Sequence, residues 1–112
     1  MIKVKDFIQM AFSYEEGMLL RERMLNELKN EAPLTVDFEG ITVFTTMFFN
    51  ACSGHFVFAN SLEWYQQNFK VINLNPLGEE THKHSIENAQ RRNEKTSNSI
   101  NKITQDTIDE NA

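Results

Sequence analysis

Few residues of this chain are of types that do chemistry, and their spacing decides how far each can be taken. Asp37 and Glu39 are two apart, so on a strand both carboxylates point to one side. With His55 they could serve acid–base work or hold a ligand at the carboxyl ends of strands, where α/β folds place their sites. One strand-end acid and one turn acid is the blander account of Asp37 and Glu39, and it is the preferred one. Cys52 lies three residues before His55 on one helix, a poor geometry for a thiolate and its base. It reads as a small buried hydrophobe. His82 and His84 are two apart, whereas helical zinc ligands need a spacing of three or four. Both read as solvated. The four glycines are scattered, without a phosphate-cradling loop. No catalytic set, no metal and no cofactor is expected.

The elements that must position these residues centre on Leu34–Gly54 (LTVDFEGITVFTTMFFNACSG). Leu34, Val36 and Phe38 alternate with Thr35 and Asp37, which predicts a strand with one apolar face. Glu39–Gly40 is a turn, with Gly40 free to take positive φ. Thr45 or Thr46 caps a helix expected to run to about Phe58. Upstream, Ile2 and Val4 alternate with Lys3 and Lys5 in a short strand over Met1–Phe7. Ser13 and Glu16 form a capping box for a helix to Asn30. Its apolar stripe is Met18, Leu20, Met24, Leu25 and Leu28. Downstream, Ala59–Asn68 is a short helix or an aromatic-anchored loop. Phe69–Leu74 is a third strand, and a polar helix follows from Asn75–Pro76.

Composition narrows the function classes. A chain of 112 residues is one domain able to bury roughly two thirds of its unfolded surface. Nine of its twelve aromatics are Phe, all between Phe7 and Phe69, so the core is built there. A net charge of −5 argues against nucleic-acid or anionic-membrane partners. A single cysteine allows no internal disulfide. No stretch reaches the roughly 18 apolar residues of a membrane span. The opening MIKVKDF lacks the apolar core of a signal peptide, so a cytoplasmic protein is expected. Residues 96–112 form a polar tail whose apolar content is Ile100, Ile103 and Ile108. It is read as disordered alone, or docked on a partner or on a second copy in a homodimer.

The order strand, helix, strand, turn, helix, strand, helix describes an α/β fold with helices packed on a small sheet. VDFEGITVFTTMFFNACSG resembles the strand–turn–helix of STAS-like domains, which include anti-sigma factor antagonists. It is closer to an uncharacterised bacterial STAS-like family with a DF-G turn and an F-N-A helix. FKVINLNPLGEETHKHSIENAQRR is similar to that family's last strand and helix. The resemblance covers 1–95 and leaves 96–112 outside. It implies a non-catalytic regulatory module that binds a protein partner, a histidine-kinase-like ATPase in the antagonists. The contact surface it implies is the Gly40–Asn50 turn and helix start, with Glu39, Gly40, Thr45, Thr46 and Asn50. The antagonists carry an Asp-Ser-Ser-Gly run with one phosphorylated serine. Matched without gaps from Asp37 and Gly40, that run falls on Thr45, Thr46, Met47 and Phe48. Met47 then stands at the phosphoacceptor position and Phe48 at the glycine, which leaves Thr46, or Thr45, as the candidate phosphoacceptor.

Overall fold

Three short parallel strands carry the fold. In the structure, a computed structural model, the backbone of residues 1–111 and the side chains of residues 1–94 are described. Strand β1 (Ile2–Lys3), β2 (Leu34–Asp37) and β3 (Phe69–Ile72) lie in that order. Both pairings are parallel, with Val36 between Ile2 and Val71. Helix α1 (Tyr14–Leu28) connects β1 to β2. Helices α2 (Thr46–Ala51), α3 (Ser53–Ala59) and α4 (Leu62–Asn68) connect β2 to β3. Helix α5 (Pro76–Asn111) follows β3. The expected tail at 96–112 lies outside the described side chains.

The core is aromatic, as the distribution of Phe requires. Phe38, Phe48, Phe49 and Phe56 are fully buried. The Phe38 ring lies 5.9 Å from Phe44, 6.3 Å from Phe48 and 5.8 Å from Phe49. Burying each such side chain contributes roughly 1.5–3 kcal/mol, so this cluster under β2 anchors everything that follows it.

Local signals set the helix starts. The Ser13 hydroxyl accepts from the Glu16 N–H, and the Glu16 carboxylate accepts from the Ser13 N–H. Ser61 accepts from the Trp64 N–H at 3.0 Å, so Ala59–Asn68 contains a capped helix rather than a loop. Gly40 has φ +88, a conformation open to glycine at little cost.

Four expectations need correction. The first strand spans only Ile2–Lys3, because Val4–Asp6 closes into a 3-10 turn that tucks Val4 into the core. The apolar stripe of α1 is narrower than expected. Met18 and Leu25 are exposed, and the buried positions are Gly17, Leu20 and Met24. A Cβ on Gly17 would stand 2.3 Å from the Phe48 carbonyl oxygen. Backbone approach, rather than side-chain volume, therefore joins α1 to α2. The helix expected to reach Phe58 breaks at Cys52 (φ −115, ψ −82). The break re-aims the chain, so that Phe48 and Phe49 of α2 and Phe56 of α3 all enter the core. Finally, His82 is not solvated. Its ring packs 5.0 Å from Phe49, with Nε2 2.9 Å from the Tyr65 hydroxyl.

Candidate functional site

The segment from Phe38 to Asn50 leaves β2, turns at Gly40 and enters α2. An isolated parallel bridge between Ala11 and Phe44 ties it to the chain before α1. The Ala11 N–H donates to the Val43 carbonyl at 3.0 Å, and the Thr45 N–H to the Ala11 carbonyl at 2.9 Å. Thr45 is the N-cap of α2. Its hydroxyl accepts from the Phe48 N–H at 3.2 Å and donates to the Phe12 carbonyl. Both functions of that hydroxyl are therefore engaged. Thr46, the first helical residue, is half-buried, and its side chain makes no hydrogen bond among the described residues.

This bracing holds apolar side chains in water. Phe12 is 55 % exposed and Met47 59 %. Val43, Met10, Tyr14 and Met18 are exposed beside them in the sequence segments the bridge brings together. Large apolar residues clustered on a rigid surface mark contact sites more often than isolated ones do. Met18 and Leu19 also line a cleft of about 320 Å³ with Glu15 and Glu22. That cleft on α1 is thus flanked by carboxylates. Sequence reasoning named Thr45 and Thr46 in this region but not Met47 as an exposed side chain. Met10, Phe12 and Tyr14 escaped, because the Ala11–Phe44 bridge joins residues 33 apart and leaves no local pattern.

The other sequence candidates separate. Asp37 is 7 % exposed. Its Oδ1 accepts from the Asn73 side chain at 2.8 Å and from the Glu39 N–H at 2.9 Å. The Asn73 bond first, then the Glu39 N–H, hold its carboxyl below the usual carboxylate range. Asp37 is therefore an ionised acceptor that ties the ends of β2 and β3, with Asn73 itself at φ 61. Glu39 and Gly40 are exposed at the turn. His55 packs 5.8 Å from Phe56. Burial lowers its pKa, and the Arg21 charge adds to that. Asp37 and His55 share no hydrogen-bond partner, and neither lines any of the four clefts described. Cys52 is fully buried, and burial pushes its thiol up to about 12, which keeps it protonated.

Asn50 is turned inward at one atom. Its side-chain carbonyl accepts from the Ser85 hydroxyl of α5 at 2.7 Å. Beyond it lies a buried polar chain that sequence reasoning missed. The Tyr65 hydroxyl donates to Ser53 at 2.7 Å. Its single proton is thereby used, so the His82 Nε2–H donates to the Tyr65 oxygen at 2.9 Å. Burial takes the His82 pKa down to about 4. The three residues come from α3, α4 and α5, and no local spacing joins them.

A family model for a STAS-like domain of unknown function (DUF4325) matches residues 16–79. The chain belongs to this STAS-like family. The matched span takes in α1 from Glu16, both larger strands, α2 to α4 and the first residues of α5. It therefore contains the Gly40–Asn50 segment and leaves most of α5 outside. No curated protein and no solved structure matches the chain. Among the described residues, no helix is long and apolar enough to cross a membrane, and no cluster of His, Cys, Asp or Glu is placed to hold a metal ion.

Proposed function

We propose that this STAS-like chain is a non-catalytic interaction module whose protein partner docks on the Gly40–Asn50 turn and helix start. The carrying observation is the exposed apolar face of Met10, Phe12, Val43 and Met47, braced by the bond from Thr45 to the Phe12 carbonyl. Glu39, Gly40 and Thr46 belong to the same contact surface. Asn50 stands at the end of it, where its side-chain carbonyl accepts from Ser85 of α5. Glu15 and Glu22 in the cleft on α1 favour a partner segment whose apolar side chains are flanked by Lys or Arg. A histidine-kinase-like ATPase in the bacterial cytoplasm is the partner class that the family resemblance suggests. The phosphoacceptor reading moves to Thr46, since both hydrogen-bonding functions of the Thr45 hydroxyl are occupied. A homodimer through this apolar face is the second reading, favoured by the same exposed side chains. It needs no contribution from Ile100 or Ile103, whose side chains lie outside those described.

The test uses the full chain beside its Phe12→Ser/Met47→Lys variant, both confirmed folded by thermal melting. Affinity capture is expected to retain a defined partner on the wild type and to lose it on the variant. Equal capture by both, or no specific capture by either, overturns the docking face. Sedimentation velocity separates the second reading: a dimer that the same pair of substitutions converts to monomer supports self-association.

A further inference from the structure

A cleft of about 380 Å³ opens between α2 and α5, lined by Asn50, Asn88, Arg91 and Arg92. Hydrogen bonds orient three of these side chains, and an aromatic ring sits beside the fourth. Ser85 is fully buried, and its hydroxyl donates to the Asn50 Oδ1 at 2.7 Å. The acceptor end of the Asn50 amide is therefore turned into the α2–α5 seam, and its NH₂ end is left on the cleft side. Asn88 is set the same way, since its Oδ1 accepts from the Arg91 guanidinium. The Arg92 guanidinium carbon lies 5.3 Å from the centre of the Phe58 ring, a contact that leaves its N–H groups unused. Glu87 and Glu94 flank Arg91 in the adjoining groove, yet neither pairs with it within 4.0 Å among the described residues. The cleft thus presents donors from four side chains and has both of its amide acceptors already occupied. Such a surface matches a ligand that only accepts.

We propose that this α2–α5 cleft binds a phosphoryl-type oxyanion, with the two guanidinium groups and the amide nitrogens of Asn50 and Asn88 as its ligands. Donors arriving from two helices favour a tetrahedral group with oxygens on several sides over a planar carboxylate. The two guanidinium charges supply the attraction that the chain's overall charge of −5 works against. The inference does not depend on the apolar side chains Met10, Phe12, Val43 and Met47, none of which lines this cleft.

The experiment is a titration of the full chain with inorganic phosphate, followed by the side-chain and backbone amide signals of Asn50 and Asn88, with acetate as the parallel arm. Saturable shifts with phosphate at millimolar concentration, and weaker ones with acetate, are expected. Asn50→Asp keeps the acceptor that Ser85 needs and replaces the donor with a negative charge, so it is expected to weaken phosphate binding about tenfold or more with the melting temperature unchanged. Arg91→Gln is expected to weaken it by a similar factor. Non-saturating shifts, acetate binding as well as phosphate, or a folded Asn50→Asp variant that binds like wild type would each overturn the site.

Discussion

The flank of α2 that meets α1 and α5 is closed by backbone approach and hydrogen bonds, whereas its amino-terminal flank leaves Met47 and Val43 in water beside Met10 and Phe12. Both flanks contain apolar residues, and both are held in place by hydrogen bonds from elsewhere in the chain. They differ in what a side chain would displace. On the closed flank a new atom meets protein, as at Gly17 against Phe48 and Ala51. On the open flank it meets solvent. Within one six-residue helix, Phe48, Phe49 and Ala51 are sealed in the core while Met47 is left in water.

The comparison breaks most visibly at Gly17. Leucine there would drive a Cβ to within 2.3 Å of the Phe48 carbonyl oxygen. The variant is expected to lose about 3 kcal/mol as α1 is levered off α2. Chemical denaturation reads this directly, and a wild-type-like midpoint would mean that the α1–α2 seam is loose.

A comparable loss is expected from acid, through His82. Its folded pKa of about 4 lies below the ordinary value of 6.5, so between these values the unfolded chain binds more protons than the native one. Stability therefore rises with pH across that window and is lost as pH falls through it. At 1.36 kcal/mol per pKa unit, the full loss is about 3 kcal/mol at pH 4. Asp37, whose folded pKa is lowered from 3.8, has its stabilising effect in place above that value and loses it only at more acid pH. His55 acts in the same direction as His82, so the assignment needs a variant. His82→Gln is expected to flatten the slope of unfolding free energy between pH 6.5 and 4, and an unchanged slope would remove His82 as its source.

The smallest effect on stability belongs to the open flank. Phe12→Ser and Met47→Ser are each expected to shift the unfolding free energy by no more than about 0.5 kcal/mol. Denaturation midpoints well below wild type would show that these side chains serve the fold, and would erase the distinction between the two flanks.

Features carried by neighbours in sequence were legible without the structure. The Ser13–Glu16 capping box, the turn at Gly40, the alternation of Leu34, Val36 and Phe38, and the strand at Phe69 all involve residues within a few positions of each other. The resemblance of VDFEGITVFTTMFFNACSG to STAS-like domains is of this kind too, and the family match confirms it. What escaped were partners far apart in the chain. Asp37 is settled by Asn73, 36 residues on. His82 looks like a solvated residue of a polar helix until Tyr65 and Phe49 close over it.

Fold class, the order of the main strands and helices, and the aromatic core were thus determined by the sequence alone. Capping, turn conformation and hydrophobic period act over four residues or fewer, and the family signature follows the same local pattern. Tertiary structure decided which face each residue serves. It buried His82 while exposing Phe12, committed the Thr45 hydroxyl to two partners and the Asn50 carbonyl to one, and faced two arginines and two amides into one cleft. Burial and hydrogen-bond pairing depend on which segments meet, and here the decisive meetings join residues 12 to 36 positions apart.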